Sequence, residues 1–155
     1  KGLRVETTNE MLEACMEAYE KMDIVIKAAA VADYRPRDVA DQKIKKKTDD
    51  ALTVVMDKNP DILKELGARK AHQVLVGFAA ETQNLLDNAR EKIVKKNLDT
   101  IVANDVTAAG AGFNSDTNIV KFLFPNGEVR SLEQMAKTQV ANILLDTVME
   151  LKAKK

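Results

Sequence analysis

Apolar and polar positions alternate in blocks along this chain, and the blocks divide it into elements. Leu3 to Glu6 has the look of a short strand. Thr7-Thr8-Asn9-Glu10 fits the capping box, in which a threonine and a glutamate satisfy each other's free amides, so a helix is predicted from Thr8 to about Met22. Asp23 to Val31 is apolar apart from Asp23 and Lys27, the pattern of a strand covered on both faces. Tyr34 to Asp41 is polar and holds a proline, hence loop, and Lys43–Lys47 with Leu52–Met56 form a hairpin around Thr48-Asp49-Asp50. Asn59-Pro60-Asp61 opens a helix to about Leu66, with Asn59 as N-cap, Pro60 first in the helix and Gly67 ending it. Gln73–Phe78 is a second buried strand, Thr82 caps a helix over Gln83–Lys96, and Asp99–Ala103 is a third strand. Gly110 to Asp116 is loop. Asn118–Phe124 meets Glu128–Arg130 across Pro125-Asn126-Gly127, and a second capping box at Ser131–Gln134 starts a last helix to about Lys152.

Strands alternating with helices predict an α/β fold: a dinucleotide-binding-like parallel sheet, helices on both faces, and two projecting β-hairpins. At 155 residues the chain makes one domain, 1–155. It lacks an initiator methionine and starts almost directly in a strand, which suggests a fragment of something longer.

Composition removes several chemistries. Lys plus Arg and Asp plus Glu are equal at 24, so no general basic surface for nucleic acid is expected, and an anion site must come from local clustering. No apolar run reaches the ~18 residues of a membrane span. The single cysteine, Cys15, excludes an internal disulfide and suits a reducing cytoplasm; its helical neighbours predict a packed thiol. The single histidine, His72, is expected on the surface, which argues against a Ser-His-Asp or Cys-His nucleophile. Zinc sites built from several Cys and His are excluded by count, and no metal ligand is assigned. The six glycines form neither a P-loop nor a dinucleotide fingerprint.

Anions could be held by other means. In a strand, Lys43, Lys45 and Lys47 share one face at roughly 6.6–6.8 Å steps, able to span phosphates; the same row also protects an exposed edge from aggregation. Lys58 precedes the helix start at Asn59-Pro60-Asp61-Ile62, where free amides favour an anion. Asp61 complicates that site, since its carboxylate can satisfy the helix end itself. Lys92 and Lys96, with Lys95 beside them, form an i, i+4 pair that repels unless an anion lies between, although lysines also suit any helix C-terminus. Ala28-Ala29-Ala30 and Phe78-Ala79-Ala80 end strands in small residues, where a base or ribose can approach or a helix can pack closely. Asp33 follows, placed to bond a ribose hydroxyl or an exocyclic amine.

Several blocks in this order resemble bacterial phosphopantothenate–cysteine ligase, the CoaB portion of bifunctional CoaBC. They are Ala28-Ala29-Ala30-Val31-Ala32-Asp33-Tyr34-Arg35-Pro36, Lys43-Ile44-Lys45-Lys46, Lys58-Asn59-Pro60-Asp61-Ile62, Gly77-Phe78-Ala79-Ala80-Glu81-Thr82, Lys95-Lys96-Asn97-Leu98-Asp99, Ala103-Asn104-Asp105-Val106 and Gly112-Phe113-Asn114-Ser115-Asp116. The resemblance implies CTP as co-substrate with Mg²⁺, 4'-phosphopantothenate and cysteine as partners, and an acyl-cytidylate intermediate. It makes Lys43 the catalytic lysine. It gives CTP binding to Lys27, Ala28, Ala29, Asp33, Lys43, Lys58, Asn59, Pro60, Asp61, Ile62, Phe78, Lys92 and Lys96. A homodimer through the projecting strands (Lys43–Met56 and Asn118–Arg130) is also implied, as is fusion to a flavin-dependent decarboxylase. The family opens with a strand, a glycine-rich turn and an asparagine-containing segment that handle substrate, and this sequence lacks them. A nicotinamide oxidoreductase and a non-catalytic partner-binding domain are the alternatives, and titration with CTP, ATP and NADH separates the three.

Overall fold

The computed structural model describes residues 2–45, 51–81, 84–105 and 116–155. The order is α1 (Thr8–Tyr19), β1 (Ile24–Lys27), β2 (Tyr34–Pro36), β3 (Met56–Lys58), α2 (Ile62–Ala68), β4 (Val74–Glu81), α3 (Leu85–Lys95), β5 (Thr100–Asp105), β6 (Thr117–Asn118), β7 (Val120–Leu123), β8 (Val129–Ser131), β9 (Met135–Ala136) and α4 (Lys137–Ala153). A central sheet runs β1-β4-β5-β7-β8. The first three strands are parallel, and β7 and β8 extend them antiparallel.

Alternation along the strands divides the core. Leu75, Ala79, Ile101, Ala103 and Leu123 face Tyr19, Ile62, Leu63, Leu66, Ala89 and Ile93 of α1, α2 and α3. Val74, Val76, Val102, Val120 and Phe122 face Val140, Leu144 and Val148 of α4. The α/β reading with helices on both faces therefore holds. Gly77 lets α2 sit close to β4, because a Cβ there would lie 2.8 Å from Leu63 Cδ2 and 3.0 Å from Leu98 Cδ1. Asp99 ties the start of β5 to β4: one oxygen accepts the Leu75 amide at 2.7 Å and the Lys70 ammonium at 3.2 Å.

Local capping was predictable where no partner competed. Thr7 caps α1, and Glu10 closes the box. Several expectations are corrected. Leu3–Glu6 forms no strand, and Leu3 is exposed. β1 is the edge strand of the sheet and is only half-buried, with Ala28–Ala30 exposed beyond it. Tyr34–Pro36 is not loop but pairs with β3, Tyr34 opposite Lys58, so the projecting ribbon is β2–β3. Lys43–Lys45 is not strand, and Lys46–Asp50 lies outside the described residues, as do Thr82 and the loop from Gly110 to Ser115.

The second expected hairpin does not project. β7 and β8 join the main sheet, with Val120, Phe122 and Leu123 buried, and Gly127 takes the turn at φ +88°. Ser131 ends β8 instead of capping a helix. α4 begins at Lys137, after β9 has paired with β6, with the Gln139 side chain accepting the Ala136 amide.

A candidate nucleotide site at the end of β1

The α2 face at the end of β1 collects three of the predicted charges. Lys96 lies just past α3, and its Nζ meets Asp61 Oδ2 at 2.8 Å, both side chains partly covered. Lys27, the last residue of β1, points the same way and donates to the Ala29 carbonyl at 2.7 Å. Burial lowers the Lys27 pKa, the Lys96 charge lowers it further, and Asp61 and Asp33 oppose both. Asp61 is pushed up by burial, but the Lys96 hydrogen bond, the Lys64 amide and the neighbouring ammonium charges outweigh this and leave its pKa lowered. The result is a Lys96–Asp61 ion pair within electrostatic reach of the Lys27 ammonium, the kind of local cluster that a neutral chain needs in order to bind an anion.

Asn59 has a different part from the one expected. It is not the N-cap of α2: Asp61 is, accepting the Lys64 amide at 3.1 Å. Asn59 is 8% exposed and pins two loops together. Its Nδ2 donates to the Ala32 carbonyl, its Oδ1 accepts from Arg35 at 2.8 Å, and its amide donates to the Asp33 carbonyl at 2.7 Å. Those bonds hold Asp33, whose side chain is exposed, at a set distance from the start of α2. Pro60 precedes the helix, and Ile62 is a core residue able to offer only backbone. Because the Asp61 carboxylate already fills the helix end, that end is not an open anion site.

The remaining predicted residues are distributed elsewhere. Lys92 lies one turn before Lys96 on α3, and Lys95 pairs with Glu91. The Lys58 side chain is exposed on β3, while its carbonyl accepts from Arg35. Lys43 is exposed, and among the described residues no hydrogen bond or ion pair joins it to the Lys27–Asp61–Lys96 cluster. Phe78 faces α4, on the opposite side of the sheet from Lys27. It is 38% exposed and lines an apolar cavity with Ile26, Ala28, Val120, Val140 and Leu144. Cys15 packs against the core with its thiol pKa raised by burial, and His72 is a surface residue 3.9 Å from Asp23, both as expected.

Three residues to which the sequence assigns no individual role stand out in the structure. Arg35 orders Asn59. Asn97, at φ 50°, donates its side-chain amide to the Gly67 carbonyl at 3.1 Å. Asn104, at the end of β5 opposite Ala80 and Val120, has a buried Oδ1 with no hydrogen-bond partner among the described residues. Arg35 and Asn97 act through residues distant in sequence, so no spacing could reveal them.

An open α/β sheet with charged groups gathered beyond the end of a parallel strand belongs to the class of α/β domains in which ligands bind at the carboxyl ends of the strands. Residues 1–151 match the family described as "DNA/pantothenate metabolism flavoprotein C-terminal domain", and the chain belongs to that family. It is 50% identical over 147 residues to "Coenzyme A biosynthesis bifunctional protein CoaBC" of Bacillus subtilis, covering 95% of this chain and 36% of that relative. Against the protein of the same name from Escherichia coli it is 44% identical over 153 residues, covering 96% of this chain and 37% of the relative. Among solved structures, the C-terminal domain of a CoaBC protein superposes with TM-score 0.80 at 37% identity, covering 99% of this chain and 66% of that one. The DNA/pantothenate metabolism flavoprotein of Streptococcus pneumoniae, at 22% identity and TM-score 0.77, shares the fold, with 94% of this chain and 71% of that one covered. The chain thus spans little more than a third of the length of its bifunctional relatives. Among the described residues, no helix is long and apolar enough to cross a membrane.

Proposed function

We propose that the chain is the nucleotide-handling part of a phosphopantothenate–cysteine ligase acting in coenzyme A biosynthesis, with CTP as the activating co-substrate. The observation that carries this reading is the Lys27–Asp61–Lys96 cluster beyond β1, inside a family whose bifunctional members bear coenzyme A biosynthesis in their name. In the first half-reaction a carboxylate oxygen of 4'-phosphopantothenate attacks the α-phosphorus of CTP. The bond to the β-phosphate oxygen breaks, and pyrophosphate leaves. In the second, the cysteine amine attacks the acyl carbon, the bond to the phosphate oxygen breaks with loss of a proton from nitrogen, and CMP leaves.

Negative charge grows on the nonbridging oxygens and on the leaving group, and fixed ammonium groups in a partly dry site stabilise it. Lys27, Lys92 and Lys96 are assigned to the outer phosphates and Lys43 to the α-phosphate. Asp33 is assigned to a ribose hydroxyl or the exocyclic amine, and Phe78 with Ala28 supplies an apolar face. Magnesium binds mainly through substrate phosphates and water, with one or two carboxylates. Fusion to a flavin-dependent decarboxylase and a homodimer complete the proposal.

The full-length protein with Lys43→Ala tests the assignment of the reacting phosphate. Losing one such donor typically removes about 2.7–4 kcal/mol of transition-state stabilisation, so acyl-cytidylate formation should fall about 100- to 1,000-fold. Formation at the parent rate would remove Lys43 from the chemistry.

A further inference from the structure

We propose that Asp61 is a positioning residue: its carboxylate holds the Lys96 ammonium beside Lys27, so that the two cations meet an entering polyphosphate together. This rests on the nucleotide reading above and assigns the residue that organises its cations.

The geometry makes Asp61 the junction of the cluster. One oxygen is fixed by the Lys64 amide at 3.1 Å, which anchors the carboxylate to the first turn of α2. The other receives Lys96 at 2.8 Å. The backbone of Lys96 is seated on the same helix, because a Cβ at Gly67 would lie 1.9 Å from the Lys96 carbonyl oxygen and Asn97 bonds the Gly67 carbonyl. Helix α2 therefore controls Lys96 at both ends of the residue, through backbone contact at Gly67 and through charge at Asp61. A long lysine side chain otherwise carries considerable rotamer freedom, and holding it in advance lowers the ordering cost of binding.

Asp61 also sustains the charge of Lys27. The groups facing Lys27 are Lys96 from the end of α3, Asp61 ahead of α2, Asp33 after β1 and Cys15 from α1. Burial and Lys96 disfavour its ammonium form, while Asp61 and Asp33 favour it. Removing the Asp61 charge leaves desolvation and repulsion less opposed. The pKa of Lys27 then falls further, and the ammonium is lost at a lower pH. Polyphosphate binding needs that ammonium, so its alkaline limb moves to lower pH. The sign follows from the direction of the lysine shift: binding is full below the limb and lost above it.

The test is titration of the full-length protein with sodium tripolyphosphate and with CTP between about pH 7 and 10.5, for the parent, Asp61→Asn and Asp61→Glu. Asparagine caps helices about as well as aspartate, so Asp61→Asn keeps α2 while removing the charge. The expected result is an alkaline limb lowered by about one pH unit in Asp61→Asn, the scale of a lost neighbouring charge, with at least partial return in Asp61→Glu. Lysine ¹³Cε shifts in the ligand-free protein should show the same displacement for Lys27. A limb and a Lys27 titration unchanged in Asp61→Asn would reduce Asp61 to a helix cap and overturn the proposal. A parent that binds neither probe would overturn the nucleotide reading itself, before any variant is compared.

Discussion

Gly67 shows how a single residue can be correctly noticed and wrongly explained. A glycine after an apolar stretch predicts a helix end, yet α2 continues through it to Ala68. Its purpose is proximity, since the Lys96 carbonyl occupies the space a side chain would need. Gly67→Ala should therefore destabilise by about 3 kcal/mol, at the upper end for overpacking because the obstructing atom is backbone. A urea midpoint lowered without a change in slope would show it, and an unchanged midpoint would mean that α2 and α3 are not in tight contact. Asn59 carries the same lesson. Its type suits a cap, but its side chain is committed to Ala32 and Arg35, and Asp61 takes the helix. Short-range preference named plausible residues at both positions, and contacts from distant loops decided their roles.

At the scale of elements, the sequence was most legible where structure is local. The Thr7–Glu10 box, the buried runs of β4 and β5, and the turn at Gly127 follow from neighbours a few residues away. Elements defined by partners were not. Ser131–Gln134 carries a good helix-start pattern, but Ser131 lies opposite Lys121, so strand pairing prevails and α4 starts later. Tyr34–Pro36 has little strand character and becomes one through β3. At the tip of that ribbon and beyond it, Val39, Ile44, Leu52, Val54, Val55 and Met56 are all exposed, a concentration of apolar surface in keeping with the proposed dimer. The β7–β8 pair belongs to the main sheet and carries no comparable concentration of exposed apolar residues, so we propose the first arm as the interface. Sedimentation of the full-length protein at micromolar concentration should show a dimer that Leu52→Asp with Val54→Asp converts to monomer. A monomeric parent, or a double variant that still dimerises, would contradict this assignment.

For the whole molecule, neutral overall charge conceals a local organisation that appears only on folding. Lys27, Asp61 and Lys96 come from a strand end, a loop and the end of a helix, and the stacking of α1, α2 and α3 on one face of the sheet brings them together. Phe78 and Ala28 lie over the opposite face, so the predicted set occupies two sides of the edge formed by β1. Periodicity alone could not distinguish these sides as functional. The resemblance in ordered blocks did most of that work, and the match over residues 1–151 supports its family assignment. We propose that this edge receives a cytidine triphosphate. Equilibrium titration of the full-length protein with CTP, ATP and NADH in the presence of Mg²⁺ addresses it most directly. Saturable binding of CTP in preference to ATP and none of NADH is expected, with CTP binding weakened when Lys27 and Lys96 are both replaced by methionine. Saturable NADH binding, or no binding of CTP, would contradict it.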